Sequence, residues 1–305
     1  MSTASGYSVI VLNPEISTNR RPIDRLGKSP LLATIAEIVQ PAVRQLLERV
    51  GSGVNDVLHG TVAGHPLHPA ITDVPVGAWT VTAVLDALEL SGRRDVAFAA
   101  DAALVVGLLG GLGAIATGLA DWSDTADEPK NVGMAHALLN SISFTGYVTS
   151  LALRRGGQRK AGILVAMASY GVSSAAAYVG GELTFGLQLG VRHTAEPFAP
   201  PDEYTPVMSA ASLTASRPAR VNFGGIPVLV SRGDSGIAAI SAVCTHRGAP
   251  LDQGAFADGC VTCPWHGSVF SLADGSVVRG PASFPQPRFD AREIDGRIEL
   301  RALPV

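Results

Sequence analysis

Two short runs in the last quarter of the chain combine residue types that hold iron. Cys244-Thr245-His246 is followed, after sixteen intervening residues, by Cys263-Pro264-Trp265-His266. Each run offers one thiolate and one imidazole. That set fits a [2Fe–2S] cluster in which two cysteines hold one iron and two histidines the other, with bridging sulfides completing both. Thiolates suit ferric iron, whereas neutral imidazoles remove negative charge from the second iron and raise the potential. Gly248 and Gly267 stand just behind the two runs and allow tight turns beside a cluster. A mixed Cys/His zinc site is the alternative. The one-residue gap between Cys244 and His246 is shorter than the usual zinc-pair spacing and argues against it.

The flanking residues narrow the choice. CTHRG and CPWHGS, followed by FSLADGSVVRGPASFPQP, resemble the two cluster loops and the proline-bearing third loop of the Rieske iron–sulfur family. The resemblance spans residues 207–303. It implies Cys244 and Cys263 as thiolate ligands, and His246 and His266 as imidazole ligands. Respiratory members of the family carry a further cysteine in each loop, joined as a disulfide. Ala249 and Trp265 stand at those positions, so that bridge cannot form. Of the hydroxyls that hydrogen-bond cluster sulfur in the respiratory type, Ser268 is retained and Phe270 lacks the OH. The resemblance therefore implies a ferredoxin-like or oxygenase-like cluster, in the lower half of the Rieske range of about −150 to +300 mV. Cys260, the third cysteine, reads as a small apolar strand residue. Short β-rich runs and a terminal hairpin turning at Asp295-Gly296 suit a small all-β domain.

What precedes that domain has another character. Across all 305 residues, 47% are hydrophobic and only 16% charged, with a mean hydropathy of +0.27. Soluble domains carry about 25% charged residues. The deficit is concentrated in four apolar segments, about 71–90, 96–120, 132–153 and 161–180, each long enough to cross a bilayer. Short connections suit an up-and-down antiparallel bundle. Gly107 and Gly111 allow close backbone approach in the second segment. GHPLHPAITDVPVGAW resembles the opening of an uncharacterised bacterial four-helix membrane family with a His-Pro-x-His-Pro signature, over residues 58–182. Ser29–Val50 reads as an amphipathic helix broken at Pro41, either lying on the membrane interface or packed under the second domain. No cleavable signal peptide is expected in the first thirty residues.

The expected fold is thus multidomain: a four-helix transmembrane bundle followed by a small all-β Rieske domain. The expected boundaries are 1–57 for an N-terminal region, 58–182 for the four-span domain, 183–206 for a proline-bearing linker and 207–305 for the Rieske domain. His65, His68 and His136 fall on the bundle face next to that domain, with Asp121 and Glu182. They form a possible second site for haem, a metal or a quinone, or else interfacial caps that hydrogen-bond one another. The basic residues Arg93, Arg94, Arg154, Arg155, Arg159 and Lys160 gather at the opposite face. The excess of basic residues predicts that face to be cytoplasmic and the Rieske domain to lie outside a cell membrane.

Only 39 residues follow His266, too few for the mononuclear-iron domain of an oxygenase catalytic subunit. Membrane segments exclude a soluble shuttle. A net charge of −3 gives no footprint for nucleic acid. The expectation is a bilayer-embedded one-electron carrier with an unidentified donor and acceptor: a quinone, a haem or another carrier. The alternatives are a redox sensor or assembly protein, or a quinone or haem oxidoreductase whose second site lies in the bundle.

Overall fold

The computed structural model describes residues 21–193, 200–214, 217–233 and 236–303. The first twenty residues and part of the expected linker lie outside the described residues. Seven α-helices precede ten β-strands among the described residues.

Helix α1 (Arg21–Gly27) leads into α2 (Pro30–Val50). Ser29 caps α2 by accepting a hydrogen bond from the Leu32 amide, and Pro30 opens its first turn. The expected break at Pro41 does not occur. Pro41 and Glu37 both lie on the exposed face, so the carbonyl deprived of its donor reaches solvent while the helix continues. The opposite face, Leu32, Ala36, Gln40 and Leu47, is buried. Gln40 Nε2 donates to the carbonyls of Trp122 and Thr125, which fastens α2 across the end of the bundle. Helix α2 thus packs on the ends of α5 and α6, and Arg44 at its C-terminal half borders the cleft that separates it from the Rieske loops. A short α3 (Ser52–Leu58) follows.

The bundle comprises α4 (Leu67–Leu90), α5 (Ala97–Ser123), α6 (Asp127–Arg155) and α7 (Arg159–Gly181). Its polarity is inverted relative to a water-soluble protein. Val84, Leu109, Leu112, Ile142 and Leu164 face outward, while Thr82, Asp86, Ser143, Ser150 and Ser169 are buried. That arrangement suits a lipid surround, where apolar outer faces cost nothing and polar groups pair inside. Gly107 lies against the Trp79 ring, and a Cβ there would collide with it, so the small residue admits the aromatic of α4. Trp79 in turn stacks on Tyr147 at 4.2 Å between centroids.

Three helical stretches, Leu67–Leu90, Arg94–Ser123 and Arg159–Gly186, are long and apolar enough to cross a membrane. The remaining expected span, α6, is as long as the others but more polar. Its buried stripe Ser143, Tyr147, Ser150 and Arg154 recurs at helical spacing and turns inward. At the bundle end far from the Rieske domain, Arg154 pairs with Asp86 at 2.5 Å and Asp101 at 3.0 Å. Arg159 pairs with Glu89 at 2.6 Å and Asp101 at 2.8 Å, so this network joins all four helices. Part of the basic face expected from the sequence is therefore ion-paired.

The second domain is all-β. A six-stranded antiparallel sheet has the order β1 (Thr205–Ser209), β10 (Arg297–Ala302), β9 (Arg288–Ile294), β4 (Gly236–Ser241), β3 (Ile226–Gly233) and β2 (Ala219–Phe223). A smaller sheet runs β5 (Ala255–Ala257), β6 (Cys260–Thr262), β7 (Val269–Ser271) and β8 (Val277–Arg279). The β9–β10 turn has Asp295 and Gly296 both at positive φ, 48° and 71°, the type I′ geometry that Asp-Gly favours. Along β3, Val228 and Val230 enter one core while Leu229 enters the other, which also holds Cys244 and Cys263. The larger sheet is thereby buried on both faces where it meets the loops.

Candidate metal centre

Two loops of the same construction hold the four residues singled out by their spacing. The first leaves β4; the second joins β6 to β7. In the first, the Cys244 amide donates to Ala249 O at 2.8 Å and the Gly248 amide to Cys244 O at 2.9 Å. In the second, the Cys263 amide donates to Ser268 O at 2.8 Å and the Gly267 amide to Cys263 O at 3.1 Å. Gly248 and Gly267 take φ of 75° and 73°, a left-handed turn that a side chain would strain. Each cysteine thus sits at the root of an identical loop with its histidine near the tip. A third segment braces both. Thr245 Oγ1 donates to Phe284 O, and the Ala282 amide donates to Ser268 Oγ at 2.9 Å. Ser268 keeps its own proton free to donate.

Cys244 and Cys263 are buried together in one core cluster. Each thiol acts on the other: Cys244 pulls the Cys263 thiol down, and Cys263, with burial, pushes Cys244 up. The His246 and His266 rings stand edge-on with centroids 5.0 Å apart. Burial drives His246 well below its ordinary value and lowers His266 as well, so both imidazoles are neutral at pH 7. Neutral imidazole is the form that binds metal.

The helical domain covers these loops. Arg247 Nη1 donates to Asp124 O at 2.8 Å, the Gly280 amide to Asp56 Oδ1 at 2.8 Å, and Thr61 Oγ1 to Ala282 O at 3.0 Å. The His193 amide donates to Thr245 O at 3.2 Å. Between the domains remains a cleft of about 370 Å³, whose lining includes Arg44, Asp56, His59, Asp124, His266 and Arg279.

Residues 203–290 match the Rieske [2Fe-2S] domain, and residues 64–195 match a predicted membrane protein family, DUF2231. A 98-residue stretch, 32% of this chain, is 30% identical to the anthranilate 1,2-dioxygenase ferredoxin subunit of Burkholderia cepacia and covers 91% of it. The chain belongs to the Rieske family. Its Rieske domain is also 42% identical over 86 residues, 27% of this chain, to carotenoid phi-ring synthase of Chlorobaculum tepidum, of which it spans 13%. It is 35% identical over 81 residues, 26% of this chain, to choline monooxygenase of Spinacia oleracea, of which it spans 18%. Among solved structures, the ferredoxin of carbazole 1,9a-dioxygenase from Nocardioides aromaticivorans IC177 matches 33% of this chain and 98% of its own, at 25% identity and a TM-score of 0.31.

The residues of this Rieske domain fit a [2Fe–2S] cluster. His246 Nδ1 is buried without a hydrogen-bond partner, beside a second neutral imidazole and two adjoining thiols. Among the described residues no group of three or more His, Cys, Asp or Glu surrounds a single metal position. A cluster does not require one, because each of its two irons takes two protein groups.

The membrane histidines have partners of their own. His136 Nδ1 lies 2.8 Å from Ala176 O and Nε2 lies 3.0 Å from Asn140 Nδ2, so both ring nitrogens are engaged. His68 Nδ1 meets Thr117 Oγ1 at 3.2 Å, and His65 Nδ1 meets Pro66 O at 2.9 Å. His65 also packs edge-on against Phe284 of the Rieske domain. Nothing among the described residues gathers the three into a metal-holding group. Sequence reasoning missed His59 instead. It is 3% exposed, with Nδ1 3.1 Å from Asp121 Oδ1 and Nε2 3.9 Å from Asp124 Oδ2. Burial raises the Asp124 carboxyl, against the opposing pull of His59, His266, Arg44 and Arg247. No motif encloses His59; only the fold brings it to this end.

Proposed function

We propose that this chain is a membrane-anchored one-electron carrier in which Cys244 and Cys263 hold one iron of the cluster and His246 and His266 the other. The observation that carries this reading is the pair of matched loops, with two adjoining thiols and two neutral, adjoining imidazoles. When bound, the cluster takes up and releases a single electron. The chain's own residues supply the rest. Burial in the β core keeps the thiols and rings out of water, Ser268 offers a donor toward cluster sulfur, and Phe270 withholds one. The bundle of α4 to α7 anchors the domain. We assign four spans, because α6 is as long as its neighbours and its polar stripe faces them. The basic residues at the far bundle end favour a cytoplasmic placement there. The Rieske domain, taken as 207–305 beyond a 183–206 linker and a 58–182 membrane domain, then lies outside. A quinone, a haem or another carrier in or at the membrane would be its partner.

The test is metal and labile-sulfide analysis with EPR of the purified, reduced chain. Two irons and two sulfides with a Rieske-type spectrum are expected; zinc, or the spectrum of an all-cysteine cluster, would overturn the reading. Electron exchange with quinol or a membrane haem would distinguish a carrier from a sensor, whose reduction would change partner binding alone. Protease protection of the C-terminal domain in intact cells would reverse the sidedness.

A further inference from the structure

The α5 C-terminus brings a carboxylate to the Rieske loops from the membrane domain. Asp124 follows the last residue of α5, and its position is fixed from both sides. Arg247 of the first cluster loop donates to its carbonyl at 2.8 Å, and Arg44 Nε of α2 donates to the preceding carbonyl, Ser123 O, at 2.8 Å. Its carboxylate lies 3.9 Å from Nε2 of His59, which is itself held by Asp121. Asp124 and His266 line the same cleft. The charged and titratable groups facing the carboxylate are His59 from α3, Arg44 from α2, and Arg247 and His266 from the two cluster loops.

We infer that Asp124, oriented by His59, is a positioning residue that lowers the reduction potential of the cluster through His266. The inference rests on the assignment of His266 as an iron ligand. A negative charge beside an imidazole on iron favours the more positive, oxidised state. Arg44, on the same cleft, opposes it. Both groups belong to the helical part of the chain, so the potential of the docked chain is a property of more than the Rieske domain. In a Rieske domain standing alone, neither charge would be present. Asp124 and His266 line one cleft between the domains, where water screens charges less than in bulk, so the two interact strongly enough to matter.

The experiment is redox titration of the full chain, followed by EPR at pH 7, with Asp124→Asn, Asp124→Glu and Arg44→Gln beside the wild type. Asp124→Asn should raise the midpoint, shifting the reduction equilibrium on the order of tenfold, which for one electron is ~59 mV. Asp124→Glu should restore most of the original value. Arg44→Gln should move the midpoint the other way. A loosened fold would not produce shifts of opposite sign from two residues on one cleft. Asp252→Asn, which removes a surface carboxylate paired with Arg220, should leave it unchanged. If the Rieske spectrum persists and neither Asp124→Asn nor Arg44→Gln moves the midpoint, the inference is wrong and the ligand assignment stands. If the wild type shows no Rieske spectrum, the ligand assignment itself has failed. Should Asp124→Asn fail to retain cluster, Arg44→Gln and Asp124→Glu still decide: an unchanged midpoint in Arg44→Gln overturns the inference.

Discussion

The first cluster loop and the second share a backbone and differ in what covers them. Each has its cysteine amide bonded five residues ahead and its glycine amide bonded back to the cysteine carbonyl. Each also has a fully buried apolar residue seven positions after the cysteine, Leu251 in one and Phe270 in the other. Above that common frame they part. The first loop is fastened to the helical domain through Arg247 and to His193 through Thr245, and His246 Nδ1 is out of solvent. In the second, Trp265 is 57% exposed and His266 borders the open cleft. The likeness serves cluster binding, which needs the same thiolate and imidazole geometry twice. The unlikeness concerns access: the helical domain holds the first loop, whereas the second presents Trp265 to solvent and His266 to the cleft.

The largest effect should come from the shared function. His246→Ala and His266→Ala should each abolish the Rieske EPR signal, while far-ultraviolet circular dichroism retains the helical signal of the bundle. Retention of a normal spectrum by either variant would break the equivalence of the loops. Gly248→Ala and Gly267→Ala test the frame itself. At either glycine a Cβ would meet no atom closer than 3.9 Å, so the cost comes from the left-handed backbone alone. Each should lose about 1–2 kcal/mol in denaturant or thermal unfolding, and the two should agree. A large disparity would mean the loops are not conformational equals.

The ease with which these loops were read from sequence has a physical basis. The residues proposed to hold the cluster lie within a few positions of each other on each loop, so Cys244, His246, Cys263 and His266 stand out by local spacing. Hydropathy disclosed α4, α5 and α7 for the same reason, since a lipid-facing surface is written into every turn. It served α6 less well: Ser143, Tyr147 and Ser150 point into the bundle and dilute the apolar signal. Pro41 misled because a helix tolerates proline on a solvent-facing side, a fact set by packing. His59 and Asp124 were invisible for a stronger reason. His59 meets Asp121 from 62 positions away, and Arg247 meets Asp124 from 123. The first contact exists only once the helices have packed, and the second only once the two domains have docked.

The unlikeness of the loops predicts unequal responses at their tips. Arg247→Ala removes the bond to Asp124 O and leaves that carbonyl to find another donor. About 1 kcal/mol of docking should be lost, visible as faster amide exchange in residues 244–249 and at the α5–α6 turn. Trp265→Ala removes an exposed ring and should change stability by less than about 0.5 kcal/mol. It should instead slow electron exchange with a protein or membrane partner, measured by stopped-flow reoxidation. If Arg247→Ala leaves amide exchange in residues 244–249 and at the α5–α6 turn unchanged while Trp265→Ala destabilises the fold, the assignment of held and open loops is reversed.

The smallest effect separates the two buried residues that the loops share. Phe270 lies on β7 and is wholly buried in the core that also contains both cysteines. Its aromatic ring has the right body for tyrosine, so Phe270→Tyr adds one hydroxyl at the ring's far end with little change in packing. In a core otherwise lined by Cys244, Cys263, Phe256 and aliphatic side chains, that hydroxyl has few acceptors besides sulfur. A hydrogen bond donated to sulfur stabilises the reduced, more negative state more than the oxidised one, and the midpoint should rise. The net worth of one such bond, about 0.5–1.5 kcal/mol, corresponds to a shift of about 2- to 13-fold in the reduction equilibrium. Leu251→Met, a change of similar volume at the matching position of the first loop, adds no donor and should leave the midpoint where it was. An unchanged midpoint in Phe270→Tyr, with the Rieske spectrum and stability intact, would mean that the ring's far end does not approach sulfur. The low potential expected of this chain would then rest on charge across the interdomain cleft.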